Sequence, residues 1–423
     1  MSKSNIITAV DIGSSKIATL IAQLNYEPAI AETTVNVIGV STSAAKGVKK
    51  GQIVDIDAAV ESVVEAVESA ERMAGYNLES AYISIGGAHI SSQNSTGVVA
   101  ISDPSGEVTP SDVERVIEAA RAISLPASRE VVHVVPREFI VDGEPGVRDP
   151  VGMSGVRLEV DTHIVTASSA ALKNLAKTVT EVGLHVEDIV FNGYAATFAT
   201  LTSTEKELGC VVIDIGAGTT SVAAYVDGAL SYSGAIPIGA RNVTNDLAIG
   251  LRVSLEAAEQ IKLQLGKPPR EDGKKDDYIE IPEDDAKELK KVSRRTLVEG
   301  IIRPRLNELF TIIRMDLERA GILNKIPSGA VLTGGGALTV GVVESAKRVL
   351  ALPTRVAIPS GVGGLIDDIM TPEFAAPIGL LLMAAESDKT YGTTPRAGNQ
   401  KKMKVPNKAV FGKIIDSIKD LLP

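Results

Sequence analysis

Residues 9–19 read AVDIGSSKIAT and residues 211–221 read VVIDIGAGTTS. The same order, an apolar run, an Asp, one apolar residue and a Gly, occurs twice, with Asp11 and Asp214 about 200 residues apart. Apolar residues resume after each glycine, as KIATLIAQL and TSVAAYVDG. Each copy therefore predicts a strand, a tight glycine turn and a return strand. No other feature restricts the fold as much. One such hairpin is compatible with an ordinary turn, but two in register, half a chain apart, call for two similar lobes.

The turns suit a phosphate. Glycine lets the backbone approach closely, and successive turn N–H groups can point at anionic oxygens. Ser14, Ser15, Thr219 and Thr220 add hydroxyl donors. A carboxylate at the strand end, Asp11 or Asp214, can hold a Mg²⁺ directly or through water. Two lobes carrying such turns would close on one triphosphate from opposite sides. Residues 330–338, AVLTGGGAL, run an apolar strand into Gly334, Gly335 and Gly336. Adjacent glycines permit flat approach to a planar base or sugar. Alone, such a run is equally a flexible loop, as is the weaker cluster GVGG at 361–364.

The remaining composition narrows the class. At 423 residues, 44% hydrophobic and 23% charged, the chain has room for two to four domains with a large core and reads as soluble and globular. A net charge of −10 and 3% aromatic residues argue against a broad nucleic-acid surface. The single Cys210 lies in an apolar stretch, which predicts a buried thiol and excludes a disulfide within the chain. His89, His133, His163 and His185 are dispersed with no HExxH pattern and read as structural or surface residues. MSKSNIITAVDIG has no long apolar core or cleavage site, and no stretch of about 20 apolar residues occurs. The expected compartment is the cytosol.

Along the chain, strands alternate with helices, which predicts an α/β protein with mixed sheets. In residues 57–74, Val60, Val63, Val64, Val67 and Met73 fall at helical spacing with Asp57 as N-cap. Residues 111–123 predict a second amphipathic helix after Thr109–Pro110, and residues 131–165 are strand-like. Residues 254–265 and 297–320 are helical, with Pro304 a candidate kink. The charge-dense run PPREDGKKDDYIEIPEDDAKELKK between them reads as a solvated loop with a small strand pair.

After Glu386 the composition turns polar, with Pro, Gly and the basic residues Lys401, Lys402, Lys404 and Lys408, as expected of a linker. In the final AVFGKIIDSIKDLLP, Val410, Phe411, Ile414, Ile415, Ile418, Leu421 and Leu422 share one helical face. Such a helix either docks on the chain's own core or lies in a membrane interface, and the tether and basic run favour an anionic surface. Seven partly immersed side chains at about 1 kcal/mol each resemble one lipid chain in grip. One copy then binds marginally, and a filament of copies binds firmly.

Two phosphate hairpins plus the TGGGA strand–loop resemble the actin, Hsp70 and sugar-kinase superfamily. The segments AISLPASREVVHVVPREFIVDGEPGVRDPVGMSGVRLEV, KKGQIVDIDAAVESVVEAVESAE and IPIGARNVTNDLAIGL narrow this. They resemble the FtsA family of actin-like bacterial division proteins, over about residues 5–385 and the extreme C-terminus.

The resemblance implies an actin-like ATPase fold of two lobes with mixed sheets, an FtsA-type extra subdomain and a C-terminal amphipathic helix. Its expected parts are 1–82 with 163–203 (subdomain 1A), 83–162 (the extra subdomain 1C), 204–240 with 300–385 (2A) and 241–299 (2B). A linker over 386–408 and the helix over 409–423 complete them. It implies that Asp11, Gly13, Ser14, Ser15 and Lys16 hold one side of the phosphates of ATP and Asp214, Gly216, Gly218, Thr219 and Thr220 the other, with Mg²⁺ at Asp11 and Asp214. Gly334, Gly335, Gly336 and Ala337 would cradle the adenosine. Gly239, Asn242 and Asp246 open the next subdomain, Gly239 and Asn242 at the nucleotide. Glu259 and Lys262 face the ribose and base, although three-residue spacing on a helix is equally that of a surface ion pair. Relatives commonly carry a proline near Asn192, which is here the sole candidate to position an attacking water, so hydrolysis is expected to be slow or negligible.

The implied function is that of an ATP-binding adaptor polymerising at the septum on the cytoplasmic face of the cell membrane. Its implied partners are the FtsZ C-terminal peptide, further copies of itself, anionic inner-leaflet lipid and other division proteins, with no nucleic acid. Arg294, Arg295 and Arg305 are the candidates for meeting the acidic FtsZ peptide, or else belong to a solvated helix start. Competing readings are a small-molecule kinase on the same fold, a chaperone-like ATPase and a pilus-assembly adaptor. The terminal amphipathic helix favours the division protein.

Overall fold

Both predicted hairpins form, each opening a separate sheet. The computed structural model describes residues 5–27, 32–267, 278–281 and 290–391. β1 (Asn5–Ile12) runs antiparallel to β2 (Lys16–Glu27), and β2 to β3 (Glu32–Ala44). A small hairpin, β4 (Val48–Lys49) with β5 (Gln52–Ile53), leads into α1 (Ile56–Ala74). The chain returns as β6 (Ser80–Ile85), parallel to β1.

An inserted unit follows. Its sheet has the order β7 (Ser91–Ala100), β10 (Arg157–Ser168), β8 (Arg129–Val141), β9 (Glu144–Val147), all antiparallel. α2 (Pro110–Arg121) packs Val116 and Ala120 against Phe139, Val141, Leu158 and Val160. Helix α3 (Ser169–Glu181) leads back to β11 (His185–Phe191), which completes the first sheet beside β6.

Helices α4 (Asn192–Thr200) and α5 (Ser203–Leu208) lead to the second lobe. Its sheet orders β14 (Ala229–Ile236), β13 (Thr220–Val226), β12 (Cys210–Ile215), β17 (Ala330–Thr333) and β18 (Thr354–Val356). Helices α6 (Ala240–Leu251), α7 (Leu255–Gly266), α8 (Arg294–Leu297), α9 (Arg303–Arg319) and α10 (Val342–Leu350) belong to this half, as do β15 (Tyr278–Ile281) and β16 (Lys290–Ser293). The chain ends its described part with β19 (Gly363–Gly364) and α11 (Ala375–Tyr391).

The two sheets repeat one plan. In each, a parallel strand (β6 or β17) lies beside the first strand of the hairpin. Each sheet has a core on one face, Val63, Ile83 and Val179 among others in the first, Ile213, Leu306 and Phe310 in the second. The wedge between the lobes is α4. Ala195 and Ala199 pack toward the first sheet with α11, while Ala196 packs toward Val212 and Val331 of the second. Its small residues permit this close double contact.

Several sequence expectations change. The cap of α1 is Asp55, whose carboxylate accepts from Ala58 N–H at 3.2 Å. Asp57 lies in the first turn, because Asp55 is the last extended residue before the helix. The buried stripe of α1 is Ala59, Ser62, Val63, Ala66, Val67 and Ala70, while Met73 is exposed. Between α8 and α9 the helix widens to one π turn over Val298–Ile302. Pro304 has no N–H, and its ring would crowd the carbonyl four residues back, so the helix loosens just before it. β19 and α11, expected in the second lobe, join the first. β19 pairs with β3, and Ile378, Leu380 and Leu381 pack with Leu20 and Val37. α11 also runs to Tyr391, into the expected linker. The chain divides into units of residues 1–385 and 386–423. The linker beyond 391 and the terminal apolar face from Val410 to Leu422 lie outside the described residues.

The inserted sheet is also bonded to the second lobe. Ser92 Oγ donates to the Ser233 carbonyl at 2.7 Å and accepts from Ser233 N–H at 3.1 Å. Buried His163 bridges Asn94 Oδ1 (2.7 Å) and Ser233 Oγ (3.0 Å). Burial, with the Arg137 charge, pushes His163 down to about 3, so it is neutral there. Arg148 grips Glu207 through both carboxylate oxygens.

Candidate functional site

The two glycine turns close with the same hydrogen bond. Gly13 N–H donates to the Lys16 carbonyl at 3.0 Å, and Gly216 N–H to the Thr219 carbonyl at 2.9 Å. Residues 217–218 and 14–15 thereby sit at equivalent tips, facing a cleft of about 550 Å³ between the lobes. Ser14 Oγ accepts from Gly51 N–H at 2.9 Å, so the β4–β5 turn braces the first tip. The second tip is braced by α6. Ala240 N–H donates to the Gly216 carbonyl and Arg241 N–H to that of Ala217, both at 2.9 Å.

Asp11 and Asp214 occupy matching places, each the second-to-last residue of its strand, paired with Ala18 of β2 and Ser221 of β13. Burial pushes Asp11 up, against a hydrogen bond from Ser84 Oγ and the charge of Lys16. Asp214 is pushed up to about 7, first by burial and then by the Asp11 charge. Among the described residues no side chain donates a hydrogen bond to Asp214. Two adjoining carboxylates, one without a donor, form a set suited to a hard cation. No cluster of three or more His, Cys, Asp or Glu side chains exists among the described residues. A cation here would complete its shell with phosphate oxygens and water, as Mg²⁺ characteristically does.

The predicted residues separate into those that face the cleft and those that do not. Asp11, Gly13, Ser14, Ser15, Lys16, Asn192, Asp214, Gly216, Gly218, Thr219, Glu259, Lys262 and Gly334–Gly336 line it. Thr220, Gly239, Asn242 and Ala337 do not line it. The Thr220 hydroxyl donates to the Ile238 carbonyl at 2.8 Å, Asn242 Oδ1 accepts from Gly239 N–H at 3.1 Å, and Ala337 is buried in the second core. These four shape the loops behind the lining.

The glycine run divides the same way. A Cβ on Gly334, at φ +80°, would lie 2.2 Å from Asp214 Oδ1, and one on Gly336 2.3 Å from Ile215 Cγ2. Both glycines are required by the end of β12. Gly335 is exposed, and a Cβ there meets nothing nearer than 3.7 Å. On the opposite wall, Lys262 donates to Glu259 Oε2 (2.8 Å), Thr244 Oγ1 (3.0 Å) and the Ala240 carbonyl (3.4 Å). Burial opposes ionisation of Glu259, yet Lys262 and Thr244 hold its carboxyl below the usual range. Exposed Leu263 and Leu338 flank this wall, an apolar slot of the kind a planar base occupies.

Ser84, Gly51, Gly86, Leu263, Leu338 and Glu373 line the cleft without having been expected there. One signal existed for Gly86. ISIGGA at 83–88 follows a strand parallel to β1, as VLTGGGA at 331–337 follows one parallel to β12. Asn192 Oδ1 accepts from Ser221 Oγ (2.8 Å) and Gly193 N–H (3.0 Å), leaving only its amide donors.

The three candidate arginines lie apart from the cleft. Arg305 is held by both oxygens of Asp246, at 2.6 and 2.8 Å, and by Glu308. Arg294 donates to the Leu265 carbonyl at 2.9 Å. Arg295 is exposed.

A family model described as the SHS2 domain inserted in FTSA matches residues 87–166, close to the inserted unit. A second, described as cell division protein FtsA, matches residues 211–379. The chain is 39% identical over 376 residues to cell division protein FtsA of Pseudomonas aeruginosa, covering 89% of this chain and 88% of that one. It is 34% identical over 389 residues to that of Escherichia coli K12, covering 90% and 91%. Among solved structures, the PilM–PilN type IV pilus biogenesis complex shares the fold at TM-score 0.62, 17% identity and coverage of 90% and 98%. MreB5 of Spiroplasma citri bound to AMPPNP does so at TM-score 0.54, 13% identity and coverage of 92% and 98%. The fold is actin-like.

Proposed function

Because this chain belongs to the FtsA family of cell division proteins, we propose that it binds Mg–ATP between its lobes and works as a membrane-attached adaptor for the FtsZ ring. The observation that carries the nucleotide reading is the pair of identically bonded turns facing one cleft, each with an aspartate behind it. Gly13–Ser15, Lys16 and Gly216–Thr219 would bind the phosphates, Asp11 and Asp214 the Mg²⁺, and Gly335 with Leu263 and Leu338 the adenosine. Bound Mg²⁺ supplies charge neutralisation between phosphates and carboxylates. Both lone pairs of the Asn192 amide oxygen are already engaged by donors, so it cannot accept a hydrogen bond from an attacking water and orient it, which supports slow or negligible hydrolysis.

In this proposal nucleotide holds the lobes together, copies assemble into filaments at the septum, and other division proteins gather on them. The apolar face from Val410 to Leu422 grips anionic lipid on the cytoplasmic side. No helix among the described residues is long and apolar enough to cross a membrane. Of the three arginines, Arg295 carries the FtsZ-peptide proposal, since Arg294 and Arg305 are engaged within the fold.

Liposome co-sedimentation tests the whole. The intact chain with ATP should pellet with anionic vesicles. Removal of residues 409–423, or Phe411→Glu, should release it while nucleotide binding stays intact. Equal pelleting without those residues would refute the membrane proposal. Arg295→Glu should weaken affinity for the acidic FtsZ peptide, and unchanged affinity removes that assignment.

A further inference from the structure

Two pairs of opposite charge line the cleft. Glu259 and Lys262 belong to one helix. The other pair joins separate elements, with Lys16 Nζ 2.7 Å from Glu373 Oε2. Lys16 ends the first glycine turn. Glu373 stands in the segment that enters α11, fixed at its neighbour Pro372, whose carbonyl accepts from Gly334 N–H (2.9 Å) and Thr333 Oγ1 (3.1 Å). Lys16 Nζ also lies 3.8 Å from the centroid of the Phe374 ring. The ammonium thus rests between a carboxylate and an aromatic face. Neither contact belongs to the phosphate turn.

We propose that Glu373 is an internal competitor of the nucleotide: its carboxylate holds Lys16 until a phosphate takes the ammonium over, and so lowers affinity for the ligand. The inference rests on the nucleotide reading of the cleft. Its physical basis is the competition of two anions for one ammonium. A phosphate at the Gly13–Lys16 turn and a carboxylate 2.7 Å from the same ammonium oppose each other, so binding exchanges one anion for another. The pair is a quarter to two-fifths exposed (26% and 40%), which keeps the exchange modest and reversible.

The test is a double-mutant cycle on the full chain, using a fluorescent ATP analogue with Mg²⁺ at low salt. Glu373→Gln should bind about 2- to 10-fold more tightly than wild type. In the Lys16→Gln background the same change should bring no gain, because the exchange runs through Lys16. Thermal melting of each variant checks folding. Binding of Glu373→Gln that is unchanged or weaker overturns the proposal, as does a gain undiminished without Lys16.

A second arm needs no nucleotide. Acylation by an amine reagent, read at Lys16 by mass spectrometry, should be faster in Glu373→Gln than in wild type, and equal rates overturn the pairing. A wild-type chain that binds no adenine nucleotide sinks the reading of the cleft. A wild-type chain that binds, with Glu373→Gln unaltered, sinks this inference alone.

Discussion

In the proposed nucleotide site, Asp214 would set the terms on which a cation enters the cleft. Its folded value of about 7 lies above the ordinary value of 3.8, so the group favours the protonated form in the ligand-free fold. Through this residue, stability is fully present below about pH 4 and is lost as pH rises toward and through 7. Asp214→Asn should flatten that part of the stability–pH curve in the absence of ligand. Cation binding must expel the proton. Calorimetry in buffers of different ionisation enthalpy should therefore find release of close to one proton at about pH 6 on Mg–nucleotide binding, falling toward none by about pH 8. Constant release over that range would remove Asp214 as the group concerned. Glycines give a second contrast at this scale. Gly334→Ala meets both left-handed backbone and a carboxylate oxygen, and should cost about 2–4 kcal/mol in thermal unfolding. Gly335→Ala should stay within about 0.5 kcal/mol. The sequence shows three equal glycines; which of them the fold needs depends on β12, more than a hundred residues away. Ser84 and Glu373 were illegible for the same reason, since each reaches the site through long-range pairing with Asp11 or Lys16.

Element boundaries were legible where a local chemical signal marks them. Thr109–Pro110 starts α2 as expected, and the structure adds the reciprocal partner: Asp112 accepts from Thr109 N–H, and its own N–H donates to Thr109 Oγ1. Ser102 joins the same carboxylate through Oγ at 2.7 Å. Donors from Thr109 and Ser102 hold Asp112 far below the usual carboxylate range. A depressed folded value gives stability that is present above the unfolded value and is lost as pH falls below it. The inserted unit should therefore lose stability in acid below about pH 4, and Asp112→Asn should reduce that dependence, leaving the part carried by Asp103 and Asp142, which are also held low by hydrogen bonds. Thr109→Ala should cost about 1 kcal/mol through the cap alone. Denaturant unfolding across acid pH measures both. The π turn before α9 was less legible. Pro304 announces an irregularity but not which way the helix gives, a choice made by the packing of Leu297 and Ile302 into the second core.

At the scale of the molecule, the repeated hairpin gave away two lobes because backbone turns follow local sequence. The return of β19 and α11 to the first lobe could not be read that way. Their apolar residues suit either core, and only the pairing of Gly363 and Gly364 with β3, with α11 against α4, decides between them. The bonds between the inserted sheet and β14 were equally hidden, for they join residues 141 and 70 positions apart in the chain. Ser92→Ala combined with His163→Ala should uncouple the two, so that calorimetry resolves an early transition of the inserted unit ahead of the lobes. A single transition displaced as a whole would show that the bonds do not couple them.

The insertion grows from the first lobe yet is fastened to an outer strand of the second. Any swing of one half against the other must strain that fastening or drag the insertion along. A molecule gripping the insertion from outside would thus gain leverage over how wide the jaws stand.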